Sequence, residues 1–314
     1  MNNDYFSKLP NILLVPKKDQ ETKEVTKSIY QQIKDDRIIL LFDYLYNNMN
    51  RLGECLFSIN DIVTTYGYKI DRNKGRINDK IKEMIFSLSL LNIIEFDFNI
   101  FNIKNNELLK CKFNSDFINY DSEFMQLHRS ELNKIMQCEE LEKLILLKLF
   151  CYLKTRIWKR EGDKEFYYCG GKAQVCYPSY ELIYNDIGIS EAVTNKYINK
   201  LKELKLIVFD NAGVYFHPSN KELKKESANT YALYKEDESH KVELKEAIKL
   251  FRLQKEKDGY IFIKKDKKQY KNNDRKLNGE LGALTKLKNK GTATERQLKR
   301  IEEIRQIIKE SKLN

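Results

Sequence analysis

The apolar positions fall into their clearest order between Tyr177 and Phe216. Tyr197, Ile198, Leu201 and Leu204 recur at the spacing that lines one face of a helix of about 15 residues opening at Ser190. Ahead of it, Tyr177-Pro178-Ser179-Tyr180-Glu181-Leu182-Ile183 opens a shorter helix. Pro178 suits a first turn, where its missing N–H would have no intrahelical partner. Gly188 can take the positive φ that ends one helix, and Ser190 can cap the next. Leu206–Phe209 and Val214–Phe216 then read as two short strands around a hairpin-sized turn at 210–213. The predicted order is helix, tight turn, helix, hairpin.

Part of this pattern occurs twice. Leu41-Phe42-Asp43-Tyr44-Leu45 returns as Leu149-Phe150-Cys151-Tyr152-Leu153. Ser58, Ile62 and Gly67 match Ser179, Ile183 and Gly188 at identical spacing, and Ile81, Ile85 and Leu88 match Tyr197, Leu201 and Leu204. Three matches in the same order suggest two copies of one unit. Copy one then has helices over Asp36–Asn48 and Ser58–Thr65, and strands over Ile93–Phe98 and Leu108–Phe113. Between Gly67 and Ile81 it carries five extra residues, within the basic turn 69–76 that includes Arg72, Lys74 and Arg76. Such a turn can lay cations and backbone N–H groups against phosphate, or be a plain solvated loop.

Between the copies, Phe124–Leu127 reads as a strand and Ser130–Cys138 as a helix capped by Ser130; Leu141–Trp158 is the first helix of copy two. The insertion Lys159–Val175 suits either a hairpin packed beside its domain or an aromatic surface for a partner. At the N-terminus, Leu9–Pro16 suits an edge strand or docking arm, and the charged segment Lys17–Lys27 is expected to be mobile. Leu223–His240 reads as an irregular connector and Val242–Gln254 as a helix. Beyond it, Leu277, Leu281 and Leu284 continue a helical stripe to Gly291, and Thr292 with Glu295 has the form of a capping box. The helix it opens carries Leu298, Ile301, Ile304 and Ile308. This tail suits a helical hairpin, a dimerising coil, or a basic arm that orders on nucleic acid.

Composition sharpens the picture. The chain of 314 residues is 41% hydrophobic, enough for cores, and 33% charged, which makes its surface very polar. The net charge of +11 is concentrated: residues 241–314 hold 22 Lys and Arg against 11 Asp and Glu, leaving 35 against 35 in residues 1–240. No apolar run approaches the roughly 18 residues of a membrane span, and the first residues lack a signal-peptide pattern. Six cysteines without a C-x-x-C pair, several in apolar stretches, point to a reduced cytoplasmic protein with no membrane partner.

The chemistry of common enzymes is missing from the sequence. Gly170-Gly171-Lys172 has Phe166 where a phosphate-binding loop needs its first glycine. His128, His217 and His240 lie too far apart for a paired-histidine site, and Cys169, Cys176 and His217 fit no zinc-finger spacing. The chain is expected to be no enzyme and to hold no metal or cofactor.

The segment Tyr177–Phe216 resembles a winged helix-turn-helix. With its repeat, the architecture over about residues 28–218 is similar to tandem winged-helix replication initiators of low-GC Gram-positive plasmids and phages. The fold class so implied is α+β and mostly helical: two tandem winged helix-turn-helix domains with a basic helical C-terminal tail. Residues 1–27 would be an N-terminal arm, 28–120 the first domain, 121–220 the second and 221–314 the extension. In copy two the helix after Ser190 would enter a DNA major groove with Ala192, Asn195, Lys196, Asn199 and Lys200 outward. Asparagine can make paired bonds to adenine, and lysine can reach guanine or phosphate, although Glu191 would be repelled by phosphate. By internal analogy Arg76, Asn78, Lys80 and Lys82 would do the same in copy one, beside Arg72 and Lys74. The resemblance implies binding of origin repeats on double-stranded DNA, recruitment of a host helicase or its loader, and a homodimer among the partners. A winged-helix transcriptional regulator and a protein–protein adaptor are the alternatives. The neutral body departs from such initiators and leaves electrostatic affinity to the tail or to local patches.

Overall fold

The computed structural model describes residues 5–19, 21–70, 73, 75–118, 124–158, 174–263, 268–289, 291–292 and 294–313. About half of the described residues are helical, and the strands form small antiparallel sheets. No helix among the described residues is long and apolar enough to cross a membrane.

The chain opens with β1 (Phe6–Pro10), a 3-10 turn (Asn11–Leu13), β2 (Lys17–Lys18), β3 (Val25–Thr26) and α1 (Ile29–Ile33). A first block follows: α2 (Ile38–Asn47), β4 (Glu54–Phe57), α3 (Ile59–Thr65), α4 (Ile77–Leu90), β5 (Ile94–Glu95) and β6 (Leu109–Phe113). The link is α5 (Ser115–Ile118), β7 (Phe124–His128) and α6 (Arg129–Met136). The second block starts with α7 (Glu140–Trp158), β8 (Val175–Cys176), α8 (Tyr180–Ile187), α9 (Glu191–Glu203) and β9 (Ile207–Asn211). After β10 (Val214–His217) and β11 (Asn220–Glu226) it closes with β12 (Asn229–Leu233). Then come α10 (Ser239–Lys257), β13 (Ile261–Phe262), α11 (Lys268–Asn289) and α12 (Glu295–Leu313). The chain divides into two units, Met1–Ala212 with Ser227–Lys255 and Gly213–Glu226 with Glu256–Asn314.

Within the first unit, both blocks run helix, strand, helix, helix, strand, strand. Their sheets have the same order, β4-β6-β5 and β8-β12-β9, with the last strand central. The matched residues do the same work in each. Ser58 accepts from the Asp61 N–H and Ser179 from the Leu182 N–H, both at 3.1 Å, capping α3 and α8. Gly67 and Gly188 take left-handed φ of 76° and 69°, which lets the chain turn sharply out of each helix without a Cβ penalty. Ile62 and Ile183 are both buried.

A continuous core runs through this unit. Leu146–Tyr152 of α7 is buried throughout, Lys148 included, so the helix is a spine rather than an amphipathic surface helix. The buried Lys148 ammonium sits 2.7 Å from both Tyr30 Oη and Asp36 Oδ1, joining α7 to the segment before α2. The ribbon β1–β7 lies between the blocks, with β1 packed on α2 and β7 on α7. Buried Asp43 of α2 accepts from Ser7 of β1, from Tyr66 Oη at 2.6 Å and from Arg129 Nη1 of α6 at 3.3 Å. One carboxylate therefore secures four pieces of chain.

Several local expectations are corrected. The strand β9 does not pair with Val214–Phe216: its partner is β12, with Asn211 opposite Asn229. Gly213, at φ 94°, turns the chain away, and β10 pairs instead with β11 and β13. The connector predicted from Leu223 is thus strand in two parts, and α10 starts at Ser239. Pro178 precedes the cap of α8 rather than entering its first turn. In α6 the cap is His128, whose N–H donates to Glu131 at 3.0 Å, and Ser130 lies inside the helix. Lys17–Lys18 and Val25–Thr26 pair in an exposed ribbon, and Leu9 belongs to β1.

The second unit contains the sheet β11-β10-β13 and the packed helices α11 and α12. Ile301 and Ile304 are buried there, and Arg300 bonds Glu280 at 3.0 Å. The tail is thus a helical hairpin. Its capping box is Thr294 with Gln297, two residues later than Thr292 with Glu295. Most of the insertion Lys159–Val175 and residues 264–267 of the basic run lie outside the described residues.

Candidate nucleic-acid interface

The helix α9 buries Thr194, Tyr197, Ile198 and Leu201, as its period requires. Leu204 sits at its C-cap, half-buried. The opposite face leaves Ser190, Ala192, Asn195, Lys196 and Asn199 exposed and Lys200 half-buried. Ser190 occupies the N-cap with extended backbone, but its hydroxyl makes no cap bond. Glu191 in the first turn favours the positive end of the helix dipole, a local reason for an acid on this face.

The polar groups of this face are not loose. Lys196 Nζ lies 2.6 Å from Glu142 Oε1 of α7 and 5.0 Å from the centroid of the Tyr197 ring. Its hydrogen bond to Glu142 is the main cause that raises the ammonium above the usual lysine range. Lys200 and Glu203 form an open surface pair at 3.6 Å, of little energetic weight. Asn199 Nδ2 donates to the Asn195 backbone carbonyl at 2.9 Å. Asn195 Oδ1 accepts from Tyr180 Oη at 2.5 Å, and that phenol accepts from Asn229 Nδ2 at 3.0 Å. The first residue of α8, the middle of α9 and the start of β12 meet in this network. Nothing in the sequence marks Tyr180 and Asn229 as partners, because they are 49 residues apart.

Copy one is different. Arg76 is the exposed N-cap of α4, and Lys80 pairs with Glu83 at 3.0 Å. Asn78 and Lys82, expected to face outward, are 2% and 7% exposed. Lys82 Nζ donates to the Ile103 carbonyl at 3.1 Å, and Asn78 Nδ2 lies 3.4 Å from Asn60 Oδ1. The repeat itself explains the correction. At the offset that matches Ile81 to Tyr197, Asn78 falls on Thr194 and Lys82 on Ile198, both buried. The same offset places Asp79, Lys80 and Glu83 where copy two has Asn195, Lys196 and Asn199. Two carboxylates replace two amides. Nearby, Phe86 and Phe101 meet edge-on at 5.3 Å, both exposed. Arg72 and Lys74 lie outside the described residues.

No protein-family model, curated protein or solved structure matches the chain.

Proposed function

We propose that this chain is a sequence-specific double-stranded DNA-binding protein with two tandem winged helix-turn-helix domains, in which α9 enters the major groove. Its role in this reading is to initiate replication of a plasmid or phage by binding origin repeats and recruiting a host helicase or its loader. The task is binding, not catalysis. The observation that carries the reading is the exposed stripe Asn195, Lys196 and Asn199 on the second helix of a tight helix-turn-helix. Amides and an ammonium on such a face suit base edges and phosphates. Repetition of the same helix and strand order supports a tandem protein.

A second reading, a transcriptional regulator with one reading helix, is favoured by Asp79 and Glu83 on α4, since carboxylates are repelled by phosphate. Selection from a random duplex library at two salt concentrations, followed by sequencing, separates the readings. An initiator with two reading copies recovers two blocks about one helical turn apart. A regulator reading through α9 alone recovers one short block. No enrichment at either salt overturns both and leaves a protein–protein adaptor.

A further inference from the structure

Asn195 is held from behind, and the hold has a direction. A phenol carries one proton and an asparagine amide has distinct donor and acceptor ends. Asn211 Nδ2 lies 3.5 Å from Asn229 Oδ1, which turns the Asn229 nitrogen toward Tyr180 Oη at 3.0 Å and Tyr231 Oη at 3.4 Å. Because Tyr180 accepts from Asn229, its own proton goes to Asn195 Oδ1. The relay therefore runs Asn211, Asn229, Tyr180, Asn195, each donating to the next. It ends with the Asn195 oxygen engaged by protein and the Asn195 N–H groups as the amide's remaining donors on an exposed face.

We propose that Tyr180 is a positioning residue that fixes Asn195 as a hydrogen-bond donor, so that this position selects a major-groove acceptor and rejects cytosine. The inference rests on the reading of α9 above and narrows it. The paired contact to adenine needs Oδ1 to accept from N6 while Nδ2 donates to N7. With one lone pair of Oδ1 taken and its direction set by Tyr180, Nδ2 is the end left to turn toward the base. Guanine N7 and O6, adenine N7 and thymine O4 all accept such a bond, whereas cytosine offers the N4 amine, a donor against a donor. The position read by Asn195 is accordingly permissive among three bases and closed to the fourth. An asparagine free to present both ends would select adenine.

The test uses the full-length chain and the selected duplex, with all four bases placed in turn at each position of the site. Asn195→Ala identifies the position, since discrimination disappears there alone. At that position the wild type is expected to bind guanine, adenine and thymine within a few-fold of each other and cytosine at least about fivefold more weakly. Tyr180→Phe frees Oδ1 and is expected to raise adenine over guanine by about fivefold or more. In the Asn195→Ala background the same change should do nothing further. Strict adenine selection by the wild type overturns the proposal, as does a Tyr180→Phe protein with unaltered preference or with an effect that persists without Asn195. Side-chain amide NMR of the DNA-free protein tests the relay separately. Tyr180→Phe should shift the Asn195 and Asn229 amide signals while leaving the backbone spectrum dispersed, and unmoved amides overturn the relay. If the wild type enriches no sequence, the DNA-binding reading fails, and the amide spectra still decide the relay.

Discussion

The buried ammonium of Lys154 faces both carboxylate oxygens of Glu131, at 2.6 and 2.5 Å, and so fastens α7 to α6. The lysine side chain is 2% exposed and the glutamate 20%. Glu131 also closes the cap of α6 by accepting from the His128 N–H. Glu131→Gln keeps a cap acceptor but leaves the ammonium without its counter-charge, a loss of about 3–5 kcal/mol when a buried pair is broken on one side. Phe150, whose ring centroid is 5.5 Å from the ammonium, offsets part of that. Glu131→Gln combined with Lys154→Met removes the stranded charge and is expected to recover most of the loss. Urea unfolding of the three proteins checks this. Equal stability of all three proteins would show that the pair contributes nothing.

Buried tyrosines make the protein sensitive to alkali. Burial, aided by the Asp61 carboxylate, pushes the Tyr44 phenol up to about 12. Burial also raises Tyr30, Tyr66, Tyr152 and Tyr231, with the carboxylates of Asp36, Asp43 and Asp186 adding to the first three. In the unfolded chain these phenols lose their protons near pH 10. Above that pH the unfolded state binds fewer protons than the folded one, so stability falls as pH rises. The contribution is complete below about pH 10; that of Tyr44 is lost as pH climbs through about 12, and those of the other four at still higher pH. Tyrosinate absorbance should appear in two phases, the second coincident with loss of helical circular dichroism. A single phase near pH 10 with the fold intact would refute the assignment.

The ion pair between Lys196 and Glu142 restrains a cation on the proposed reading face. Glu142→Gln releases it. If α9 lies against DNA, binding should tighten, and the slope of log affinity against log salt should steepen by up to about 0.9, one added phosphate contact. Lys196→Ala should move both in the opposite direction. The comparison is made by fluorescence anisotropy over a salt series. Opposite or absent changes would take Lys196 out of the interface.

What could be read from the sequence follows from range. The buried stripe Tyr197, Ile198 and Leu201 and the glycine ending α8 are set by neighbours within a few residues, and they were legible, whereas Ser58 and Ser179 stood out only as repeated positions and not as caps. The run Leu146–Leu153 was legible as a helix, but not that Lys148 and Lys154 would be buried in it, because their carboxylates lie far away at Asp36 and Glu131. The turn at 210–213 looked sufficient for a hairpin, yet the partner of Asn211 is Asn229. The strand Asn220–Glu226, rich in lysine and glutamate, has no apolar alternation and is exposed throughout, so only its pairing with β10 makes it a strand. For the candidate site, the outward face of α9 was legible from its period. The hold on Asn195 was not, while the inward place of Asn78 and Lys82 is already implied by the repeat, which sets them on buried Thr194 and Ile198.

The tail supplies the last prediction. Deleting residues 268–314 removes 13 Lys and Arg and 6 Asp and Glu while keeping the pairing of Ile261 and Phe262 with β10. Arg300 is already engaged by Glu280 and Glu303, so not every cation of the hairpin is available to a polyanion. If the remaining cations contact phosphate, the truncated protein should lose affinity equally for specific and random duplexes. Its salt slope should flatten by at least about 0.9, the value of one phosphate contact. Site preference, carried by α9, should persist, because phosphate contacts position a protein while base contacts specify the sequence. An unchanged slope together with a smaller mass in sedimentation would make α11 and α12 a dimerising device instead. An unchanged slope at unchanged mass would exclude both roles. The hairpin would then be a surface for another protein, and the DNA contacts would have to come from residues 1–267, which keep 44 Lys and Arg against 40 Asp and Glu.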